Sequence, residues 1–236
     1  MKQPTETAPT TATLTLIRIR LNRRTTAVRR DLAHPSSLHK TVMLLALDNL
    51  GDQPRQKAGL LFRLEQATRH TPPTLLVQTH TPPDITRLPP AYGTTETRDL
   101  TPMLQALTAG RRVRYRITAN ASVRRKVLDG DPFFDTEPRH KDISLHGDDA
   151  LAWWQRKAAQ AGLSPASTDI TPTNPFRRSV TKKTSTETDP HAFRHVLTRF
   201  DGLATITDPA QLRHAVLAGI GRGKPYGAGL LSLAPA

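Results

Sequence analysis

Cysteine is absent from the 236-residue chain. That excludes disulfides, zinc–thiolate sites and a cysteine nucleophile. No apolar run approaches membrane-spanning length, so no membrane partner is expected. Aromatic residues are scarce, at 5%. Base stacking on an open sheet is therefore weakly signalled, and contacts to phosphates and to RNA shape are favoured. Acidic side chains are also few. Twenty Asp and Glu stand against 34 Lys and Arg, a formal charge of +14. An excess of that size points to a polyanion partner. Arg greatly outnumbers Lys, and its planar fork suits phosphates and guanine edges; a GC-rich genome also accounts for part of that bias.

Chemical motifs are missing as well. No Gly-x-Ser-x-Gly elbow occurs. None of the nine histidines forms His-x-x-x-His with a helical carboxylate, so no metal and no cofactor are expected. Asp148-Asp149 reads as helix capping. Residues 1–11 are rich in Thr and Pro and lack an apolar core. They read as a disordered extension of a cytoplasmic protein, not as a secretory signal.

What remains is one pattern passed through twice. Thr13–Leu21 alternates as a strand, with Ile17, Ile19 and Leu21 on one face and Arg18 and Arg20 on the other. A basic connection holds Arg23, Arg24, Arg29 and Arg30. Pro35-Ser36-Ser37 offers capping hydroxyls to a helix whose buried stripe is Leu38, Val42 and Leu45. Leu60–Glu65 and Thr74–Thr79 are strands. Pro82–Gly93 holds at most a short helix. Leu100–Leu107 is the expected last strand, kept to a sheet edge by Pro102. The order is that of a ferredoxin-like domain, assigned to residues 12–108.

The second pass spans 109–236. Arg111–Thr118 places Val113, Tyr115 and Ile117 opposite Arg112, Arg114 and Arg116. Asp129–Gly147 reads as an irregular loop. Asp148–Gln160 is a helix carrying Leu151, Trp154 and Ala158 inward, stopped by Gly162. Ser164–Phe176 is broken by prolines. Arg177, Arg178, Lys182 and Lys183 form a basic arm, which also reads as a charged edge against aggregation. Phe193–Thr207 returns as a strand, and Asp208-Pro209 starts a helix. The fold class is α+β, two tandem ferredoxin-like domains.

The chain closes on Gly219, Gly221, Gly223, Gly227 and Gly229, interleaved with Arg222 and Lys224. Such spacing permits positive φ and close approach of another segment, and it suits an anion. It is not a P-loop, because Pro225 follows Lys224 and an apolar strand follows the loop. Taken by itself, the loop reads first as a plain connection into a terminal strand. His39 is placed in the first turn of its helix. There the open amides favour an anion and lower the imidazole pKa, and a bound phosphate raises it. A histidine so poised serves as general acid or base near neutral pH; the plain alternative is the rim of a core helix.

Several stretches, in order, resemble the CasE family of CRISPR repeat-RNA endoribonucleases from the type I-E Cascade complex. They are Arg29-Arg30-Asp31-Leu32-Ala33 with Pro35 and Leu38-His39-Lys40-Thr41, then Leu61–Glu65, Leu75–Thr79, Val113–Asn120, Ala152–Lys157, Phe200-Asp201-Gly202 and Asp208-Pro209. The glycine-rich ending is the most specific of them. The resemblance implies metal-independent cleavage of precursor CRISPR RNA by the ribose 2′-OH, leaving a 2′,3′-cyclic phosphate and a 5′-OH. It implies His39 as proton shuttle, Ser36 where some relatives carry tyrosine, and Arg177, Arg178, Lys182 and Lys183 as the arm gripping the repeat stem-loop. Arg23, Arg24, Arg29, Arg30, Lys40, Arg222 and Lys224 are the further RNA-binding candidates. Expected partners are the repeat RNA and the other Cascade subunits. Two rivals remain: a non-cleaving repeat-RNA-binding subunit of the same fold, and a ribosomal-protein-like structural RNA binder.

Overall fold

The computed structural model describes residues 14–46, 50–126, 140–173 and 196–236. The first half runs β1 (Thr15–Leu21), α1 (Thr26–Ala33), α2 (Pro35–Met43), α3 (Pro54–Lys57), β2 (Leu61–Glu65), β3 (Thr74–Thr79), β4 (Gly93–Asp99) and α4 (Thr101–Gln105). Its sheet has the antiparallel order β2-β3-β1-β4. The second half runs β5 (Arg112–Ala119), β6 (Ser122–Lys126), β7 (His140–Ser144), α5 (Gly147–Gln160), β8 (Leu163–Thr173), β9 (Leu197–Ile206), α6 (Pro209–Ala218) and β10 (Leu231–Pro235). Its sheet repeats the order, β10-β5-β9-β8, with β6-β7 as an added hairpin. First strand central and last strand beside it is the ferredoxin-like arrangement twice over.

Each half buries the face its alternation announces. Ile17, Ile19 and Leu21 join Leu38, Val42, Leu45, Phe62 and Val77 in one core. Val113, Tyr115 and Ile117 join Trp153, Trp154, Phe200 and Leu212 in the other. Each such side chain contributes about 1.5–3 kcal/mol by leaving water. Tyr115, Trp154 and Phe200 stack as a group, and the Trp154 indole donates 3.0 Å to the Tyr115 hydroxyl. Asp208 caps α6 through the amides of Ala210 and Gln211 at 2.9 and 3.0 Å.

Several elements differ from the sequence reading. The last strand of the first sheet is Gly93–Asp99, and Leu100–Leu107 instead carries the short helix α4. Pro102 lies in its first turn, where a proline costs no hydrogen bond. Leu104 and Leu107 then pack into the second core, together with Leu14. The proline-broken stretch from residue 164 is strand β8. It lies at a sheet edge, where prolines are tolerated. Part of the expected irregular loop forms the β6-β7 hairpin. On α5 the buried residues are Ala150, Trp153, Trp154 and Ala158; Leu151 is only half-buried.

Two buried polar side chains of the first sheet cross to the second half. Arg63 Nη1 donates to the carbonyls of Leu230 and Arg116 at 3.0 and 3.2 Å. Gln78 Nε2 donates 2.8 Å to the carbonyl of Val216. Both fasten the end of the chain to β2 and β3.

Candidate active site

His39 lies on α2 with its ring half-buried. Leu38, Val42 and Leu45 hold that helix against the sheet, all buried. Asp31 of α1 fixes it further. This carboxylate is buried and accepts from Thr41 Oγ1 at 2.6 Å, from the Tyr92 hydroxyl at 2.8 Å and from Arg30 Nε at 3.0 Å. Burial, then the Asp31 charge, pushes the Tyr92 phenol far above its ordinary value. Thr41 stands two residues past His39, so the network anchors the helix that carries the imidazole.

The helix begins differently from the sequence reading. His34 is the N-cap and Pro35 the first helical residue, with no side-chain capping bond. The amides of Ser37 and Leu38 both donate to the His34 carbonyl at 3.1 Å. His39 is thus one turn past the open amides. Its pKa is still held below the ordinary histidine value, first by burial and then by the Arg55 guanidinium. The ring is therefore neutral at pH 7. Its Nδ1 is buried with no hydrogen-bond partner among the described residues, so no protein acceptor dictates the tautomer.

The glycine-rich loop comes to this helix from the other end of the chain. Its 3-10 turn, Lys224–Tyr226, packs on α2 and on β2. Gly219, Gly221, Gly223, Gly227 and Gly229 all take positive φ. At Gly227, with φ +84, an added Cβ would sit 3.2 Å from Phe62 Cε2 of β2. At Gly219 it would sit 2.8 Å from Leu61 Cδ2. Only glycine meets both demands, backbone and space. Hydrogen bonds from Ile220 N to Gly229 O at 2.9 Å and from Gly229 N to Thr118 O at 2.8 Å close the loop.

The cations around His39 fall into two sets. Arg23, Arg24, Arg29, Arg30 and Lys40 are exposed on the β1–α1 turn, α1 and α2. Together they make a positive surface along the packed pair α1 and α2. Lys224 and Arg55 are partly buried, and burial pushes both below their ordinary values. Arg55 has no sequence motif to mark it. Arg222 stands apart, paired at 2.6 Å with Asp142 of β7. Ser36 is exposed, and its hydroxyl makes no hydrogen bond among the described residues. Arg177, Arg178, Lys182 and Lys183 lie outside the described residues. Among the described residues no three His, Asp or Glu side chains converge as a metal set. A second basic feature is a cleft of about 920 Å³ lined by Arg18, Arg20, Arg116 and Arg199. Those arginines are paired with Glu96 and Asp201.

Asp31 was within reach of the sequence: it falls three residues after Val28, on the face that α1 buries.

Residues 14–235 match the family described as CRISPR associated protein. The CRISPR-associated endoribonuclease Cse3 of Thermus thermophilus is 30% identical over 224 residues, which are 93% of this chain and 99% of that protein. The structure of Thermus thermophilus Cse3 bound to an RNA representing a pre-cleavage complex has a TM-score of 0.74 at 28% identity. It covers 94% of this chain and 100% of its own. A chain of a CRISPR RNA-guided surveillance complex, pre-nicking, is 36% identical with a TM-score of 0.62, again over 94% and 100%.

Proposed function

The chain belongs to the CRISPR-associated endoribonuclease family of Cse3 and Cas6e, and we propose that it cuts precursor CRISPR RNA at the repeat stem-loop without a metal. His39 accepts the proton of the ribose 2′-OH upstream of the cut. The 2′-oxygen forms a bond to the adjacent phosphorus, and the bond from phosphorus to the 5′-oxygen breaks. That 5′-oxygen takes up a proton, leaving a 5′-OH and a 2′,3′-cyclic phosphate. A base must be unprotonated before it acts, and the depressed pKa of His39 provides that at neutral pH.

The observation that carries this reading is the meeting of α2 with the glycine-rich loop. It sets a neutral, half-buried imidazole beside cations from both ends of the chain. The exposed Arg23, Arg24, Arg29, Arg30 and Lys40 suit the phosphates of a stem approaching that face. Arg177, Arg178, Lys182 and Lys183 are assigned to the same stem, as the gripping arm. The product stays bound, and the protein joins a Cascade-like assembly. The division into units 12–108 and 109–236 goes with this reading, supported by the two sheets of identical order.

The exposed, unbonded Ser36 favours one second reading, a subunit that binds repeat RNA without cutting it. Incubation with cognate repeat RNA in EDTA separates the two. Cleavage should persist in EDTA, yield a cyclic phosphate end, and stop when the nucleotide upstream of the cut is 2′-deoxy, with binding intact. Cleavage that needs added divalent metal, or that survives the deoxy substitution, overturns the mechanism. Tight binding without cleavage installs the second reading.

A further inference from the structure

Arg55 and Lys224 come from opposite halves of the fold and line one cavity of about 490 Å³. His80, His214 and Gln56 line it as well, over an apolar floor that includes Leu61 and Leu217. Among the described residues no carboxylate lines this cavity. Neither cation has an ion-pair partner among the described residues. Among the described residues the Arg55 guanidinium makes a hydrogen bond only to the carbonyl of Leu60, at 3.2 Å. That leaves most of its five donors uncommitted. The Lys224 ammonium has no hydrogen bond among the described residues. Desolvation acts against both charges, and the Arg55 charge acts further against Lys224. Arrangements of that kind are stable when an anion completes them. Arg55 is also the charged group that acts on the His39 ring. The turn that carries Lys224 also packs on α2, the helix that bears His39.

We propose that Arg55 and Lys224 are a phosphate-holding pair that takes the phosphodiester group attacked at His39. This rests on the cleavage reading above and adds the groups that bear the charge. As the 2′-oxygen bonds to phosphorus and the 5′-oxygen leaves, negative charge grows on the two non-bridging oxygens. A guanidinium and an ammonium fixed by α3 and by the closed glycine-rich loop meet that charge without rearranging. Because one cation is supplied by each half, the site is complete only when the chain's end is docked on β2.

Two measurements on the full chain test the pair. In single-turnover cleavage of cognate repeat RNA, Arg55→Gln and Lys224→Gln should each slow the reaction by about 10²–10³-fold, the loss typical of removing one preorganised donor to developing charge. Arg55→Lys and Lys224→Arg should recover much of the rate. Affinity for the 2′-deoxy repeat RNA and melting temperature should stay near wild type. Rates near wild type for both Gln variants overturn the proposal. So does a loss matched by lost affinity or melting that the conservative variants fail to recover.

The second measurement needs no cleavage. Inorganic phosphate titrated into the free protein should shift the NMR signals of the His39 ring and of the Gly223–Gly227 amides to saturation. The Arg55→Gln, Lys224→Gln double variant should abolish that response. An equal response in the double variant, or none in the wild type, overturns the pair. A wild type that binds phosphate here but cuts no RNA overturns the cleavage reading instead and leaves the anion site standing.

Discussion

Arg63 offers a sharp test of how the two halves are joined. Its side chain is 3% exposed. Burial pushes its pKa down, and Glu65 pushes it back up. Nη1 serves the carbonyls of Leu230 and Arg116, and Nε donates to Glu65 Oε1 at 2.8 Å. Arg63→Met fills similar volume and removes all three bonds. Each hydrogen bond from a charged donor contributes about 1.5–3 kcal/mol, and orphaned carbonyls add the cost of their desolvation. Against this, Met relieves the desolvation of a buried guanidinium. Breaking a buried pair from one side typically costs about 3–5 kcal/mol. Glu65 is 23% exposed and keeps Arg116 at 3.8 Å, so the expected loss is at the low end, about 3 kcal/mol. That corresponds to about 6–12 °C in melting temperature, at roughly 2–4 °C per kcal/mol for a chain of this size. Urea unfolding gives the free energy as a shifted midpoint at constant slope. Arg63→Lys keeps the charge but not the fork, and should fall between. An Arg63→Met protein as stable as wild type would refute the view that this guanidinium fastens the chain's end to β2.

The other expectations concern the site. Gly227→Val combines a β-branched residue, a φ of +84 and a contact with Phe62; it should destabilise by roughly 1–3 kcal/mol and slow cleavage, whereas a neutral effect in melting and rate would deny the close packing. The pH profile of kcat/KM should rise through the free-protein pKa of His39, below 6.5, and level off above it. Removing the Arg55 charge relieves repulsion of the imidazolium, so Arg55→Gln should move that midpoint up, and a midpoint that stays put contradicts the coupling. Arg177→Ala with Arg178→Ala should weaken repeat-RNA binding and flatten log K against log salt by about one unit per lost phosphate contact; an unchanged slope makes that arm a solvated edge.

The strands with an apolar face or an apolar run were legible in the sequence, and the polar edge strand β4 was missed. β1 and β5 show their cores as Ile17-x-Ile19 and Val113-x-Tyr115-x-Ile117. β4 reads Gly-Thr-Thr-Glu-Thr-Arg-Asp, with no apolar face to reveal it. It sits at the sheet edge, held by backbone pairing to β1 and by the Glu96 pairs with Arg18 and Arg20. The nearby apolar run Leu100–Leu107 drew the strand assignment to itself, although those leucines serve the other core. Of the site, His39 and the glycine-rich loop were visible as local patterns. Their meeting was not, because it depends on sheet order bringing β10's approach beside β2. Arg55 gave no signal at all. A cation becomes unusual only when it is buried without a partner, and that is a property of the folded chain.

The central claim is that His39 carries a proton in the cleavage step. Single-turnover cleavage of cognate repeat RNA in EDTA by wild type and His39→Ala tests it most directly. The expected loss is about 10²–10⁴-fold, the range for a positioned acid or base. Affinity and melting should hold, since Leu38, Val42 and Leu45 pack the helix without the imidazole. A His39→Ala protein that cuts near the wild-type rate, or that is slow only because it no longer folds or binds, contradicts the account.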